Sequence, residues 1–255
     1  MSNAQLQGFE RAFNTAETGA RERMAELIQR SPIPDDEKAD NLALFSDHIL
    51  TGRVLFLNEL YQKILNVPGV IVELGTRWGQ DLAILSNLRA LYEPTHHLRR
   101  IVGFDTFEGF VDVAPEDGNP EYAQPGFLRT ADRYDSFLTE VMAANEGSKP
   151  LAQKQKFEIV RGDARQTLEE WLERNPQTII AMAYFDMDLY SPTRRCLELI
   201  RPHLTKGSVV VLDELNDTGF PGETVALREA FGLGNIRLQR VPYLTYPSYF
   251  VFEGD

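Results

Sequence analysis

From residue 70 to the C-terminus, short apolar runs alternate with amphipathic stretches. The runs predict strands at 70–74, 100–104, 157–161, 179–185 and 207–212. Between them the spacing predicts helices near 79–91, 132–146, 164–174 and 192–203, with one more near 222–231. Strand–helix alternation implies a parallel sheet with helices on both faces. The last two apolar runs, Asn235 to Val241 and Ser248 to Phe252, differ from the rest. The linker from Pro242 to Pro247 is too short for a crossover helix, so these strands are expected to be antiparallel neighbours. Upstream, residues 5–30 read as a helix rich in Arg and Glu, broken by Ser31-Pro32-Ile33-Pro34. Two helical stretches follow, near 35–50 and 52–66, the second carrying the apolar run Val54 to Tyr61. The expected division is a helical extension over 1–66, as a cap or an oligomer contact, and an α/β domain over 67–255.

Composition narrows the class. The chain has 255 residues, and 43% of them are hydrophobic. That length fits one α/β domain with additions. Its longest apolar run, Ile179 to Phe185, is too short to span a membrane. The N-terminus reads as polar, without a signal-peptide core, and the single cysteine, Cys196, suits a reducing cytoplasm. A net charge of −12 argues against a broad nucleic-acid surface. The expected partner is a small molecule rather than nucleic acid or membrane, with a homo-oligomer suggested by the apolar N-terminal helix. His96 and His97 read as a solvated loop.

The first strand of the α/β region ends in Glu73-Leu74-Gly75-Thr76-Arg77-Trp78-Gly79. A strand, a glycine turn and a helix, with an acid (Asp105) at the tip of the next strand, can hold a nucleoside. A dinucleotide fingerprint needs G-x-G-x-x-G, whose middle glycine admits a pyrophosphate. Here that glycine is missing, Arg77 and Trp78 fill the turn, and Glu73 would repel a phosphate. A cationic or zwitterionic ligand suits the loop better. E-x-G-x-x-x-G after the first strand resembles motif I of the class I S-adenosylmethionine-dependent methyltransferases. The resemblance implies a Rossmann-like, seven-stranded, mostly parallel sheet closed by an antiparallel C-terminal hairpin, with extra N-terminal helices in this chain.

Asp105 to Glu121 carries six acids and no Lys or Arg. It reads either as a solvated loop or as a lid over the site. Two more acid groups follow apolar strands: Asp186-Met187-Asp188 after the fourth, and Asp213-Glu214 after the fifth. Ligands of open parallel sheets bind beyond the carboxyl ends of the strands, so these acids should share a cleft. Crowded carboxylates repel unless a cation or shared protons intervene. All-oxygen ligands favour a hard divalent ion, most simply Mg²⁺. The plainer alternative is that the acids cap helices, as at Ser191-Pro192, or pair with Arg194, Arg195 and Arg228.

Three motifs in order, Phe104-Asp105-Thr106-Phe107-Glu108-Gly109, Phe185-Asp186-Met187-Asp188-Leu189-Tyr190-Ser191-Pro192-Thr193 and Val211-Leu212-Asp213-Glu214, resemble the macrocin O-methyltransferase family. The resemblance spans roughly residues 50–255. It implies O-methylation of a sugar or phenolic hydroxyl on an antibiotic, with a deoxysugar on a secondary metabolite, for instance a calicheamicin-type glycoside, as acceptor. It places Glu73, Gly75 and Thr76 at the methionine part of the cofactor. Asp105 and Thr106 would lie at the ribose, Gly162, Asp163 and Ala164 at the adenine, and Asp186 beside the cofactor as well. It implies a metal held by Asp186, Asp213 and Glu214, and Asp188 as general base. The chain departs in one place, carrying Glu214 where the family has a second Asp. A catechol-type methyltransferase is the near alternative. A nicotinamide-dependent oxidoreductase and a non-catalytic cofactor-binding scaffold are more distant ones.

Overall fold

The computed structural model describes residues 15–118 and 123–254. The first part of the helix expected over 5–30, and the end of the acidic stretch at Asn119 to Glu121, lie outside the described residues. The chain packs as two units that divide between Gly52 and Arg53. In the first, α1 spans Thr15–Gln29 and α2 spans Asp35–Lys38, followed by a 3₁₀ segment, Ala39–Phe45. The helix expected over 35–50 is therefore broken. Asp47 ends it by accepting from the amide of Leu50 at 2.8 Å, and so starts α3, His48–Lys63.

The second unit holds a seven-stranded sheet. Its strands are β1 Val70–Leu74, β2 Ile101–Asp105, β3 Phe157–Arg161, β4 Ile180–Phe185, β5 Leu204–Leu212, β6 Gln239–Arg240 and β7 Ser248–Val251. The order is β3-β2-β1-β4-β5-β7-β6. β1 to β5 run parallel, while β7 lies antiparallel to both β5 and β6. The C-terminal hairpin is as expected, although β6 is only two residues long. The helices are α4 Gln80–Tyr92, α5 Tyr134–Gly147, α6 Ala164–Arg174, α7 Tyr190–Ile200 and α8 Gly222–Phe231.

Side-chain alternation sends each central strand into two cores. One joins Phe56, Leu57 and Leu60 of α3 to Leu82 and Leu85 of α4, over Ile71, Tyr184 and Val211. The other joins Leu168 and Trp171 of α6, Leu197 of α7 and Leu227 of α8, over Val72, Phe185 and Val210. β4 is buried along its whole length, which explains why it reads as an unbroken apolar run. Cys196 is buried in the second core, and that burial pushes its thiol pKa up.

The fold creates one crevice by topology. Sheet order reverses between β1 and β4, whose connections leave in opposite directions, and such a switch point opens a ligand cleft beyond the carboxyl ends. The two strand ends meet closely there. Gly75 has φ +95°, and a Cβ on it would lie 1.8 Å from the carbonyl oxygen of Asp186. Only glycine allows this approach.

Candidate active site

The turn after β1 is the first half of the site. Glu73 ends the strand on the face that carries α3 and α4, and it is buried. Its Oε2 has no hydrogen-bond partner, and neither has the buried hydroxyl of Thr76. Two orphan oxygens in a cradle that excludes a Cβ are what a bound polar ligand would satisfy. Burial raises the Glu73 pKa well above the usual carboxylate range, helped by the carboxylates of Asp81 and Asp186. Asp105, at the end of β2, ties the adjoining turns. Its two oxygens accept the amides of Arg77 and Phe107, each at 2.6 Å. Its burial raises its pKa against these hydrogen bonds.

The other positions expected from sequence to contact a cofactor lie alongside. Gly162 donates its amide to the Asp105 carbonyl at 2.8 Å, so the ends of β3 and β2 are adjacent. The side chains of two expected contacts are already engaged within the protein. Thr106 donates to the Gly109 carbonyl at 2.8 Å, and Asp163 caps α6 by accepting the Arg165 amide at 2.9 Å. The Arg165 guanidinium also holds Asp163, and this pairing outweighs burial to lower the acid's pKa. Ala164 is buried as the first residue of α6.

The ends of β4 and β5 make the second half. One oxygen each of Asp186, Asp188 and Glu214 lie within 4.8 Å of one another. Asp188 is buried and adopts φ +61°, a left-handed conformation that Asp tolerates better than most residues. Glu214 is buried, with Oε2 unpartnered. Burial, then the Asp188 and Asp213 carboxylates, push its pKa well up, and Asp186 is raised by burial and by Asp213. Asp213 is not part of that group and is engaged by other side chains. Its Oδ1 accepts from Arg53 at 2.7 Å and from the Tyr184 hydroxyl, leaving Oδ2 as the oxygen it can offer elsewhere.

Arg53 was not singled out by the sequence reading. It forks onto three carboxylates, with Nε to Asp81 at 2.8 Å, Nη1 to Asp213 at 2.7 Å and Nη2 to Asp186 at 3.3 Å. Its guanidinium also stacks over the Tyr184 ring, 4.9 Å from the centroid. Burial opposes its charge, but Asp213, Tyr184, Asp81 and Asp186 outweigh that and hold it firmly protonated. The pairings considered from sequence fall elsewhere. Arg194 bonds Glu198 and Glu229, and Arg195 bonds Glu169 and Glu198. Nor does Ser191 cap α7. Its N-cap is Leu189, and the Ser191 hydroxyl accepts from Arg165 at 3.0 Å. The one available signal for Arg53 was a lone cation heading the apolar run Val54 to Tyr61.

The acidic loop after β2 is anchored at particular residues, while Glu108, Asp112 and Glu116 stay exposed. Asp117 is fully buried, and its oxygens accept the amides of Ala114 at 2.7 Å and of Tyr190 at 2.5 Å. Phe110 packs against Phe220 in the loop after β5, ring centroids 6.1 Å apart. This fastens the loop to the edge of the acid cluster. Among the described residues no helix is long and apolar enough to cross a membrane.

A methyltransferase domain family matches residues 72–215, a stretch running from β1 to the acids after β5. The fold and sequence are also similar to solved structures of CalS11. One, described as a calicheamicin methyltransferase, is 43% identical with a TM-score of 0.93, covering 96% of this chain and 95% of that one. The other, an apo form described as a TDP-rhamnose 3′-O-methyltransferase of calicheamicin biosynthesis, is 41% identical with a TM-score of 0.83, covering 96% and 97%. The O-methyltransferase NovP shares the fold at 18% identity and a TM-score of 0.59, over 79% and 80% of the two chains. No curated protein sequence matches. The chain belongs to the methyltransferase domain family and is an S-adenosylmethionine-dependent O-methyltransferase.

Proposed function

We propose that this enzyme methylates a hydroxyl of a deoxysugar destined for a secondary metabolite, with a divalent cation, most simply Mg²⁺, beside the acceptor. The observation that carries the cation is the Asp186–Asp188–Glu214 group. Three carboxylates converge there, and a buried Glu214 oxygen lacks a partner. That donor set fits a hard ion. The sugar acceptor is supported by the likeness to CalS11 and by the macrocin-type motifs.

Each residue then has a role. Glu73 Oε2 and the Thr76 hydroxyl bind the amino-acid end of the cofactor, and Gly75 lets the Asp186 backbone pack directly against this turn. Asp105 and the Gly162–Ala164 turn line the nucleoside side. S-adenosylmethionine supplies the electrophilic methyl group. Asp186 and Glu214 hold the ion, which would lower the pKa of the acceptor hydroxyl and fix its direction. Asp188, in the same group, takes the hydroxyl proton as the oxygen attacks. Asp213 shares Arg53 with Asp186 and so orients the cluster, offering at most its second oxygen to the ion.

A mass-read assay tests the proposal. The protein is incubated with S-adenosylmethionine and a panel of TDP-deoxysugars, finished glycosides and catechols. Gain of one methyl on a sugar hydroxyl is expected, and the panel separates nucleotide-linked from finished sugars. Methylation confined to the catechols would overturn the acceptor class.

A further inference from the structure

Glu223 is fully buried in the first turn of α8. Gly222 brings it there. A Cβ on Gly222 would lie 2.2 Å from Asp117 Oδ1 and 2.5 Å from the Tyr190 amide nitrogen. Glycine thus lets α8 begin hard against the anchored loop and the start of α7. A buried carboxylate must find hydrogen bonds or a counter-charge. Oε2 accepts the amide of Glu214 at 3.1 Å, and the Met187 backbone amide also favours the charged carboxylate. These amides belong to the loops after β5 and β4, so the carboxylate sits against both loops that carry Asp186, Asp188 and Glu214.

The other oxygen is not accounted for in this way. Oε1 of Glu223 is buried without a hydrogen-bond partner, as is Oε2 of Glu214. The charged groups that act on Glu223 include Asp188 and Asp213, and Glu214 in turn feels Glu223. A clamp alone would be served by glutamine, whose oxygen can accept the Glu214 amide without adding charge. A carboxylate with a spare oxygen, set among other carboxylates, calls for a cation or a shared proton, and the variants below separate the two.

We propose that Glu223 is a positioning residue of the cation site, with Oε2 holding the loop that carries Glu214 and the spare Oε1 adding negative charge behind the Asp186–Asp188–Glu214 group. This rests on the cation reading above. Outer carboxylates of this kind orient the ligands and raise their affinity for the ion, and their loss typically costs about 10–100-fold in binding.

The test is Mn²⁺ binding, followed by its electron paramagnetic resonance signal, in the full-length protein and in Glu223→Gln. Glutamine keeps the acceptor for the Glu214 amide, so cooperative melting and S-adenosylhomocysteine binding should persist. Mn²⁺ affinity should fall about 10–100-fold. Unchanged affinity in a folded variant overturns the proposal and leaves Glu223 a clamp. Failure of the wild type to bind Mn²⁺ defeats the cation reading itself, and this inference with it. If the glutamine variant does not fold, Glu223→Asp keeps the charge but withdraws it by one methylene. Weakened binding there supports the proposal, and wild-type affinity overturns it.

Discussion

Arg53→Leu is expected to lower the melting temperature by about 10 °C, the effect of losing about 3–5 kcal/mol in a domain of this size. The guanidinium serves Asp81, Asp213 and Asp186 together, and the first two are buried. Removing it leaves carboxylates with neither counter-charge nor water, which is the costly half of a buried ion pair. The shape of leucine fits α3, so helix propensity is not what the substitution changes. Arg53→Lys separates charge from geometry. It keeps the positive charge, but a point charge cannot bridge three acids, so less than half of the lost stability should return. Melting followed by circular dichroism reads both variants. A leucine variant that melts like the wild type would mean that the acids are protonated and that Arg53 is incidental.

Asp188→Asn should reduce turnover by about 10²–10⁴-fold, the usual contribution of a positioned general base. Asparagine is isosteric and tolerates the left-handed backbone at φ +61°, so the fold should survive. Cofactor affinity should not change, because the proposed cradle lies at Glu73, Gly75 and Thr76 at the end of β1. The split between steady-state rates and calorimetric binding of S-adenosylhomocysteine is the informative readout. Near-normal turnover would remove Asp188 as base, and a parallel loss of cofactor binding would recast it as a cofactor contact.

Much of this was legible before the structure. The parallel strands announce themselves as apolar runs because helices cover both their faces, and the short Pro242–Pro247 linker dictates an antiparallel hairpin. The acids after β4 and β5 were visible because strand ends on one edge of a sheet must be neighbours. Charge partners across the fold were not. Arg53 lies 28 residues from Asp81 and 160 from Asp213, and nothing local marks it as their counter-ion. Glu223 was not singled out either, since an acid in a helix's first turn is common because it favours the dipole. The close approach allowed by Gly222 is what turns it inward. The α3 boundary at Asp47 rests on a capping hydrogen bond, the kind of short-range detail that periodicity blurs.

The central claim is that the carboxylates beyond β4 and β5 work through a divalent cation. The most direct test is methyl transfer to a TDP-deoxysugar by protein stripped with chelator, before and after Mg²⁺ is restored. Transfer should cease in chelator and return with Mg²⁺, while S-adenosylhomocysteine binds in both states. Full transfer by protein shown to be free of metal would contradict the claim.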